Sequence, residues 1–345
     1  MRFQNGQKTY VIAEIGANHN GDMKLARKMI KKAQKIGCDC VKFQSWDTSI
    51  FSKQVYENNF FLNDDYRARN DYSLEEIVKE FSVTPSELIE LKSYCDSQGI
   101  DFSSTPFEHS QVDNLISLDV PFIKIASMDL NNDYLLRYAA NTGKTVLLST
   151  GFATLEEIGH AVSTIENTGN RNIVILHCVS IYPPNDNQVN LNNMDMLRHA
   201  FGYPVGFSDH TLGIEISLAA IAKGAVILEK HYTLDKDMFG WDHKISAEPD
   251  EMATLVRGAE RIFNALGSTQ RLPPEDPSRK SEYRRSIVSA RDIKKGEVIG
   301  QTDITYRRPG TGLAPNADTL LIGSTARNNI KADTILNLSE FELSN

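Results

Sequence analysis

The stretch GFSDHTLG at residues 206–213 brings Ser208, Asp209 and His210 to the end of a short apolar run, and ILEKHYTLD at 227–235 does the same with Glu229, Lys230 and His231. A hydroxyl, two carboxylates, an ammonium and two imidazoles delivered this way can seat an anion, move protons or hold a cation. If the two runs are consecutive strands, His210 and His231 converge on one point. With a carboxylate or water, such a pair suits Mn²⁺, Fe²⁺, Co²⁺ or Zn²⁺, and oxygen-rich surroundings lean towards Mn²⁺ or Mg²⁺. His177, alone on an apolar run, reads as a satisfied core residue.

Other runs end in the same manner, with Glu14 and Asn18, Lys42 and Gln44, Thr105, Lys124 with Ser127 and Asp129, Ser149, and then Ser180 and Tyr182. A buried, unpaired ammonium is costly, so Lys42 and Lys124 imply a partner. Beside Thr105, Ser127 and Ser149, the two lysines would cradle a phosphate and a carboxylate. The other reading, left open by the residues themselves, is that each lysine pairs with Glu14 or Glu229 as an internal salt bridge. Asp242 and His243 follow Gly240 and Trp241 just after the last run, where Trp241 either anchors a loop or stacks on a sugar face.

The elements that must position these groups are eight β-branched runs: residues 10–16, 40–46, 101–107, 122–127, 145–150, 173–179, 205–210 and 226–233. Helical periodicity separates them. Ala26, Met29, Ile30, Ala33 and Ile36 fall on one face with Gly37 as a stop, and Thr84 with Glu87 forms a capping box before a helix closing at Gly99. Strict alternation of strand and helix predicts a parallel sheet, and eight units predict a (β/α)8 TIM barrel whose chemistry sits at the strand C-terminal ends. A doubly wound sheet fits less well, since no GxGxxG is present. Residues 47–83 exceed an ordinary loop and would reach over the mouth. The barrel is expected over 1–267, a Pro-rich linker over 268–282, and a small, mostly β domain over 283–345.

Composition narrows the function. With 37 Lys+Arg against 45 Asp+Glu, the net charge of -8 offers no basic field for nucleic acid. No apolar run approaches a membrane span, and RFQNGQKTYV after Met1 lacks a signal-peptide core, so the expected location is the cytoplasm with no membrane partner. Cys38, Cys40, Cys95 and Cys178 form no CxxC pair and read as reduced core residues.

Taken in order, AEIGANHNGD, VKFQ, STPF, IKIAS, LLSTG, ILHCVSIYP, GFSDHTLG and LEKHYT resemble the sialic acid synthase family, which makes N-acetylneuraminate, legionaminate and pseudaminate. ARDIKKGEVI and RRPGTG resemble its C-terminal antifreeze-like SAF domain, a β-clip fold. The resemblance implies condensation of phosphoenolpyruvate with an N-acetylmannosamine-type hexose and water, yielding a nine-carbon 2-keto acid and phosphate. It implies a divalent metal, usually Mn²⁺ with Mg²⁺ or Co²⁺ as alternatives, held by His210 and His231. Glu14 and Asp129 are the implied catalytic carboxylates. Lys42, Thr105, Lys124, Ser127, Ser149 and Ser208 would hold phosphoenolpyruvate, while Gln44, Tyr182 and Asp242 face the sugar. Arg308 would reach the acyl group from the SAF domain of a domain-swapped homodimer.

Three departures from the family pattern stand at the mouth: Met128-Asp129 for Gly-Glu, Ser180 within CVSIYP, and Gly240-Trp241 before Asp242. They point to an acceptor that differs from N-acetylmannosamine. The competing readings are another phosphoenolpyruvate-dependent 2-keto-3-deoxy sugar acid synthase, a metal-dependent barrel aldolase, and an ice- or glycan-binding role for the tail. The charges of RDIKKGE and TARNNIK speak against ice binding.

Overall fold

In the computed structural model, residues 3–58, 73–267 and 275–343 are described. They form two compact units, residues 1–267 and 268–345. In the first, eight strands alternate with helices: β1 (Tyr10–Gly16), β2 (Cys40–Gln44), β3 (Asp101–Thr105), β4 (Phe122–Ile125), β5 (Thr145–Ser149), β6 (Ile173–Cys178), β7 (Val205–Asp209) and β8 (Ile227–His231). β1 pairs in parallel with both β2 and β8, and the ladder continues through β7, β6 and β5 to β4 and from β2 to β3. Along the remaining seam, the Ser103 hydroxyl donates to the Phe122 carbonyl at 3.2 Å. The expected eight-stranded barrel is the observed one.

The intervening helices follow from local chemistry. Met23–Ile36 buries Ala26, Met29, Ile30 and Ala33 on one stripe and stops at Gly37, whose φ of 95° favours glycine. Pro85–Gln98 opens on the Thr84–Glu87 capping box and stops at Gly99 with φ of 70°. Beyond β2 the described residues hold the helices Lys53–Asn58 and Leu74–Phe81; the stretch 59–72 of the expected mouth-covering segment lies outside the described residues.

Strand periodicity of two divides each strand between two environments. On the outer face Val11, Ala13 and Ile15 of β1 and Val41 and Phe43 of β2 join the core beneath the helices. The inner face begins with an apolar layer that includes Ile12, Cys40, Phe122, Leu147, Leu176 and Ile227. Phe3 closes its base, with ring centroids 5.0 Å from Tyr10 and 6.1 Å from Phe122. Gly206 belongs to this layer because a Cβ there would stand 2.6 Å from both the Ile227 oxygen and Leu176 Cδ2. The next layer towards the C-terminal rim is polar and buried: Glu14, Lys42, Lys124, Ser149, Ser208 and Glu229.

Asp209 and Lys230 point the other way. Lys230 Nζ donates to Asp209 Oδ2 at 2.8 Å and to the Thr211 carbonyl at 2.9 Å, and Asp209 also accepts from the Thr211 amide, the Thr211 hydroxyl and the Ser217 hydroxyl. Both side chains are fully buried. Of Ser208, Asp209 and His210, the outer two thus face the barrel mouth, while the middle one pins the strand end from behind.

In the second unit, β9 (Ser286–Ser289) and β10 (Ile304–Arg307) pair antiparallel over a core containing Ile287, Ile293, Ile299, Leu321 and Phe341. Thr325–Ala326 pairs with Phe341–Glu342, and one four-residue helix, Asp318–Leu321, packs among them. Of the Pro-rich stretch, 268–274 lies outside the described residues, while Pro277–Arg279 and Lys280–Tyr283 are short helical turns.

Removing one partner of a buried ion pair leaves a charge without compensation. Asp209→Asn should therefore destabilise the barrel by about 3–5 kcal/mol. Adding Lys230→Met should recover most of the loss, read as the urea unfolding midpoint. A double variant no more stable than Asp209→Asn would show that the hydrogen bonds of Asp209, and not its charge, hold this strand end.

Candidate active site

Four charged side chains meet at the centre of the barrel mouth. Lys42 Nζ lies 2.7 Å from Glu14 Oε2 and 3.6 Å from Glu229 Oε2, and it donates to Thr105 Oγ1 at 2.8 Å. Lys124 Nζ lies 3.8 Å from Glu229 Oε1 and 3.3 Å from the Ile125 carbonyl oxygen, to which it donates. The Ser208 hydroxyl donates to Glu229 Oε1 at 2.9 Å. The internal salt bridges that the sequence left open are thus present, and they line the floor of a cavity of about 250 Å³.

The two carboxylates are not equivalent. Burial raises Glu229, but Lys124, Lys42 and the Ser208 hydroxyl outweigh it and bring its pKa down to about 2. Glu14 is raised to about 7, chiefly by burial, with Lys42 offsetting part of the shift and Glu229 adding to it. Burial lowers Lys42, yet Glu14 and Glu229 hold it above its ordinary value. Lys124 is lowered by burial, which Glu229 only partly offsets. One carboxylate held ionised beside one poised near neutrality is the division that separates a fixed charge from a proton carrier.

A hydroxyl-lined wall stands beside the lysines. Ser149 Oγ is buried without a hydrogen-bond partner. The Ser127 hydroxyl accepts the Gly151 amide at 3.0 Å. Gly151 leaves room there, since a Cβ would stand 2.0 Å from Ser180 Oγ and 2.7 Å from Ser127 Oγ. Two ammonium groups beside the unpartnered Ser149 hydroxyl form an anion seat, and its only counter-charges in the cavity floor among the described residues are Glu14 and Glu229.

Above this floor His210 and His231 face one another, their ring centroids 5.4 Å apart, and Tyr182 lies 4.2 Å from the His210 ring. His210 Nδ1 donates to the Val179 carbonyl at 2.9 Å, which leaves Nε2 for a ligand. His231 Nδ1 is buried and makes no hydrogen bond, with Asp242 Oδ2 3.6 Å away. Burial, then the neighbouring His210, hold His231 well below the usual imidazole range, in the neutral form that ligates metals. Burial also lowers His210, but Cys178 and the Val179 carbonyl more than offset it. Two such imidazoles are a donor set for a divalent cation. Among the described residues no cluster of three or more His, Cys, Asp or Glu is arranged to hold a metal, so the remaining ligands would be substrate oxygen and water.

Most of the residues expected from the sequence come together. Glu14, Lys42, Gln44, Thr105, Lys124, Ser127, Ser149, Tyr182, Ser208, His210 and His231 all line this cavity. Gln44 Nε2 donates to Glu14 Oε1 at 3.3 Å across a bulge at the end of β1. Asp242 stands at the rim beside His231. Asp129 does not line this cavity: it lines a neighbouring one of about 190 Å³ with Met128 between them, and its Oδ1 accepts from Asn132 at 3.1 Å. Burial raises its pKa, with the Asn132 bond opposing. Trp241 is a loop anchor, with ring centroids 4.4 Å from Trp46 and 6.0 Å from Phe81. Arg308 belongs to the second unit, its guanidinium 5.5 Å from the Tyr283 ring centroid.

Sequence reasoning gave Glu229 no role beyond a salt bridge, although it is the hub of both lysines. Its place two residues before His231, on the same strand face, was the available signal. Cys178, read as core, also reaches the cavity, where the Ser127 hydroxyl approaches its sulfur at 3.6 Å. His177 is the satisfied core residue expected, donating from Nε2 to the Val189 carbonyl at 2.6 Å.

The two lysines should be separable by experiment. Charge-assisted contacts contribute roughly 1.5–3 kcal/mol, so Lys124→Met should weaken inorganic phosphate binding by about tenfold to a hundredfold. Lys42→Met should weaken it similarly and also lower the thermal midpoint, because it strands Glu14 beside Glu229. Unchanged phosphate affinity in both variants, measured calorimetrically, would leave the lysines a purely structural role.

Comparison with known proteins agrees with this geometry. Residues 29–271 match the NeuB family and residues 284–342 match the SAF domain. The chain is 38% identical to the N,N'-diacetyllegionaminic acid synthase of Campylobacter jejuni over 334 residues, covering 96% of this chain and 99% of that one. It is 36% identical to the enzyme of the same name from Legionella pneumophila, covering 95% and 93%. A solved N-acetylneuraminic acid (sialic acid) synthetase from Leptospira borgpetersenii, in complex with citrate, superimposes with a TM-score of 0.69 at 37% identity, covering 81% of this chain and 91% of that one. A barrel whose mouth joins two lysines, two glutamates and a histidine pair, followed by a small β domain, thus belongs to the NeuB family of sialic acid synthases with a C-terminal SAF domain.

Proposed function

We propose that the protein condenses phosphoenolpyruvate with an uncharged 2-acetamido hexose of mannose type and water, giving a nine-carbon 2-keto sugar acid and inorganic phosphate. The observation that carries this reading is an anion seat of two buried lysines directly beneath a pair of facing imidazoles. Such a site holds a multiply charged anion at its floor and a carbonyl oxygen at its mouth. The names of the relatives support the class of product.

In this reading Lys42 and Lys124, with Thr105, Ser127, Ser149 and Ser208, bind the phosphate and carboxylate. Bound by His210 and His231, a divalent ion of the Mn²⁺ type would supply Lewis-acid polarisation of the sugar aldehyde. The new bond joins C3 of phosphoenolpyruvate to the aldehyde carbon, water adds at C2, and phosphate departs with its C–O bond broken. Water gives up a proton and the aldehyde oxygen gains one, and Glu14, poised near neutrality, is the group able to carry it. Glu229 stays ionised beside both lysines. Tyr182 covers the imidazoles from solvent, while Gln44 and Asp242 are positioned for sugar hydroxyls.

A phosphorylated acceptor is disfavoured, because among the described residues Lys42 and Lys124 are the only Lys or Arg lining this cavity, and the first anion occupies them. The deciding assay follows phosphate release from phosphoenolpyruvate with N-acetylmannosamine and diacetamido hexoses, with product mass. Release should need both sugar and metal, stop with a chelator and resume with Mn²⁺. Release without sugar, or an aldol product without phosphate, would replace this reading with a hydrolase or an aldolase.

The poised carboxyl sets a pH dependence. Below about 7 Glu14 is protonated and Lys42 is relieved of one of its two carboxylates, which favours an incoming anion; above it the carboxylate reclaims Lys42 and repels the anion. The kcat/KM for phosphoenolpyruvate, which reports the free enzyme, should therefore fall as pH rises through about 7. In Glu14→Gln this fall should vanish along with most of kcat. A fall that persists unchanged in the variant would assign the titration to the substrate or to another group.

A further inference from the structure

The loop that follows β8 carries Asp242 Oδ2 to 3.6 Å from His231 Nδ1, just beyond hydrogen-bonding reach. That nitrogen is buried and makes no hydrogen bond, whereas Nδ1 of His210 is held by the Val179 carbonyl at 2.9 Å. An imidazole that ligates through Nε2 needs its other nitrogen oriented, because that second bond fixes both the tautomer and the plane of the ring. For His231 the group that faces Nδ1 is Asp242, so the position of the loop decides whether the bond forms.

The loop is held from two sides. On one, Asn20 Nδ2 donates to the Phe239 carbonyl at 2.6 Å, Asn20 Oδ1 accepts from His243 Nε2 at 3.1 Å, and Thr233 Oγ1 meets His243 Nδ1 at 2.7 Å. Within this clasp the backbone turns at Gly240, whose φ is 145° and where a Cβ would stand 2.7 Å from Asn20 Oδ1. On the other side Trp241 leaves the clasp and lies against Trp46 and Phe81. Trp46 is the fixed member of the stack. It is buried, and Ser45 before it extends the barrel ladder by donating its amide to the Thr105 carbonyl at 2.9 Å, with its hydroxyl 2.7 Å from that of Ser104. Both indoles pack with Leu74, Ile77 and Phe81 in a core apart from that of the barrel, and neither lines the cavity of the lysines and imidazoles. A large ring so placed acts on the site through its neighbour in the chain, Asp242.

We propose that the stacked pair of Trp46 and Trp241 is a positioning device for the metal centre. It sets Asp242 so that the carboxylate accepts from His231 Nδ1 when Nε2 ligates a cation. The inference rests on the reading of His210 and His231 as cation ligands, and the two tryptophans are positioning residues that touch no substrate. The bond occupies one oxygen of Asp242 and is compatible with a sugar hydroxyl on the other.

The test is Mn²⁺ binding to the full-length protein, measured by calorimetry without substrate, with the metal-free thermal midpoint as the folding control. Trp241 lies in a loop and is only partly buried, so it is the residue to replace. Trp241→Ala should weaken Mn²⁺ by about tenfold, within the tenfold-to-hundredfold loss typical when the outer partner of a metal-bound imidazole is disturbed. Asp242→Ala should cause at least the same loss, and adding Trp241→Ala to it should cost no more than about twofold further, because the ring acts through that carboxylate. Trp241→Phe, which keeps a ring against Trp46, should restore most of the affinity. Inorganic phosphate binding should stay within about twofold throughout, as its seat shares no partner with the stack. If Trp241→Ala fails to fold, Trp241→Leu takes its place with the same expectation. Wild-type Mn²⁺ affinity in the Trp241 variants, losses that add in full in the double variant, or an equal loss of phosphate affinity overturns the inference and leaves the metal site standing. A wild type that binds no Mn²⁺ overturns the ligand reading itself, and the inference with it.

Discussion

Burying two ammonium groups inside a barrel is tolerable only if carboxylates come with them, since the desolvation of each ion costs several kcal/mol. Lys42 and Lys124 meet that condition through Glu14 and Glu229, which lie on the adjacent strands β1 and β8 in the same polar layer. The arrangement constrains everything above it. The lysines can be charged in the empty protein, the site stays folded without substrate, and an entering anion must compete with carboxylates already in place. A ligand with one charge gains little from that exchange; one with a phosphate and a carboxylate can replace both partners at once.

The scaffold makes this possible by dividing labour within single strands. Inward residues of β1, β2, β4, β5, β7 and β8 form an apolar layer and then a polar one, while their outward neighbours pack beneath helices. Gly206 shows how tightly the lower layer is filled, and the bulge between Glu14 and Gly16 shows where regular pairing gives way so that a carboxylate and Gln44 can meet. Chemistry begins where the apolar filling ends.

Much of this was legible from the residues. Alternating strand and helix patterns, Gly37 and Gly99 as stops, and the Thr84–Glu87 box fixed the barrel, because those signals are local and physically direct. Polar strand ends gathered most of the site for the same reason. Less legible were features that depend on which neighbours the fold supplies. Glu229 and Asp209 are both acidic strand-end residues, yet one serves the site and the other the wall. Asp129 lies in a short helical turn whose direction no periodicity reveals, and it opens on the adjacent cavity.

The pairing of Asp209 with Lys230 behind the rim has a bearing on how this protein can change. His210 and His231 are each adjacent in sequence to one member of that pair, and the pair is secured entirely from the helical side, through Thr211 and Ser217. The anchor thus makes no demand on what occupies the mouth. Substitution at Ser180, Met128 or the loop before Asp242 leaves that anchor untouched, so the mouth can vary while the framework behind it stays as it is.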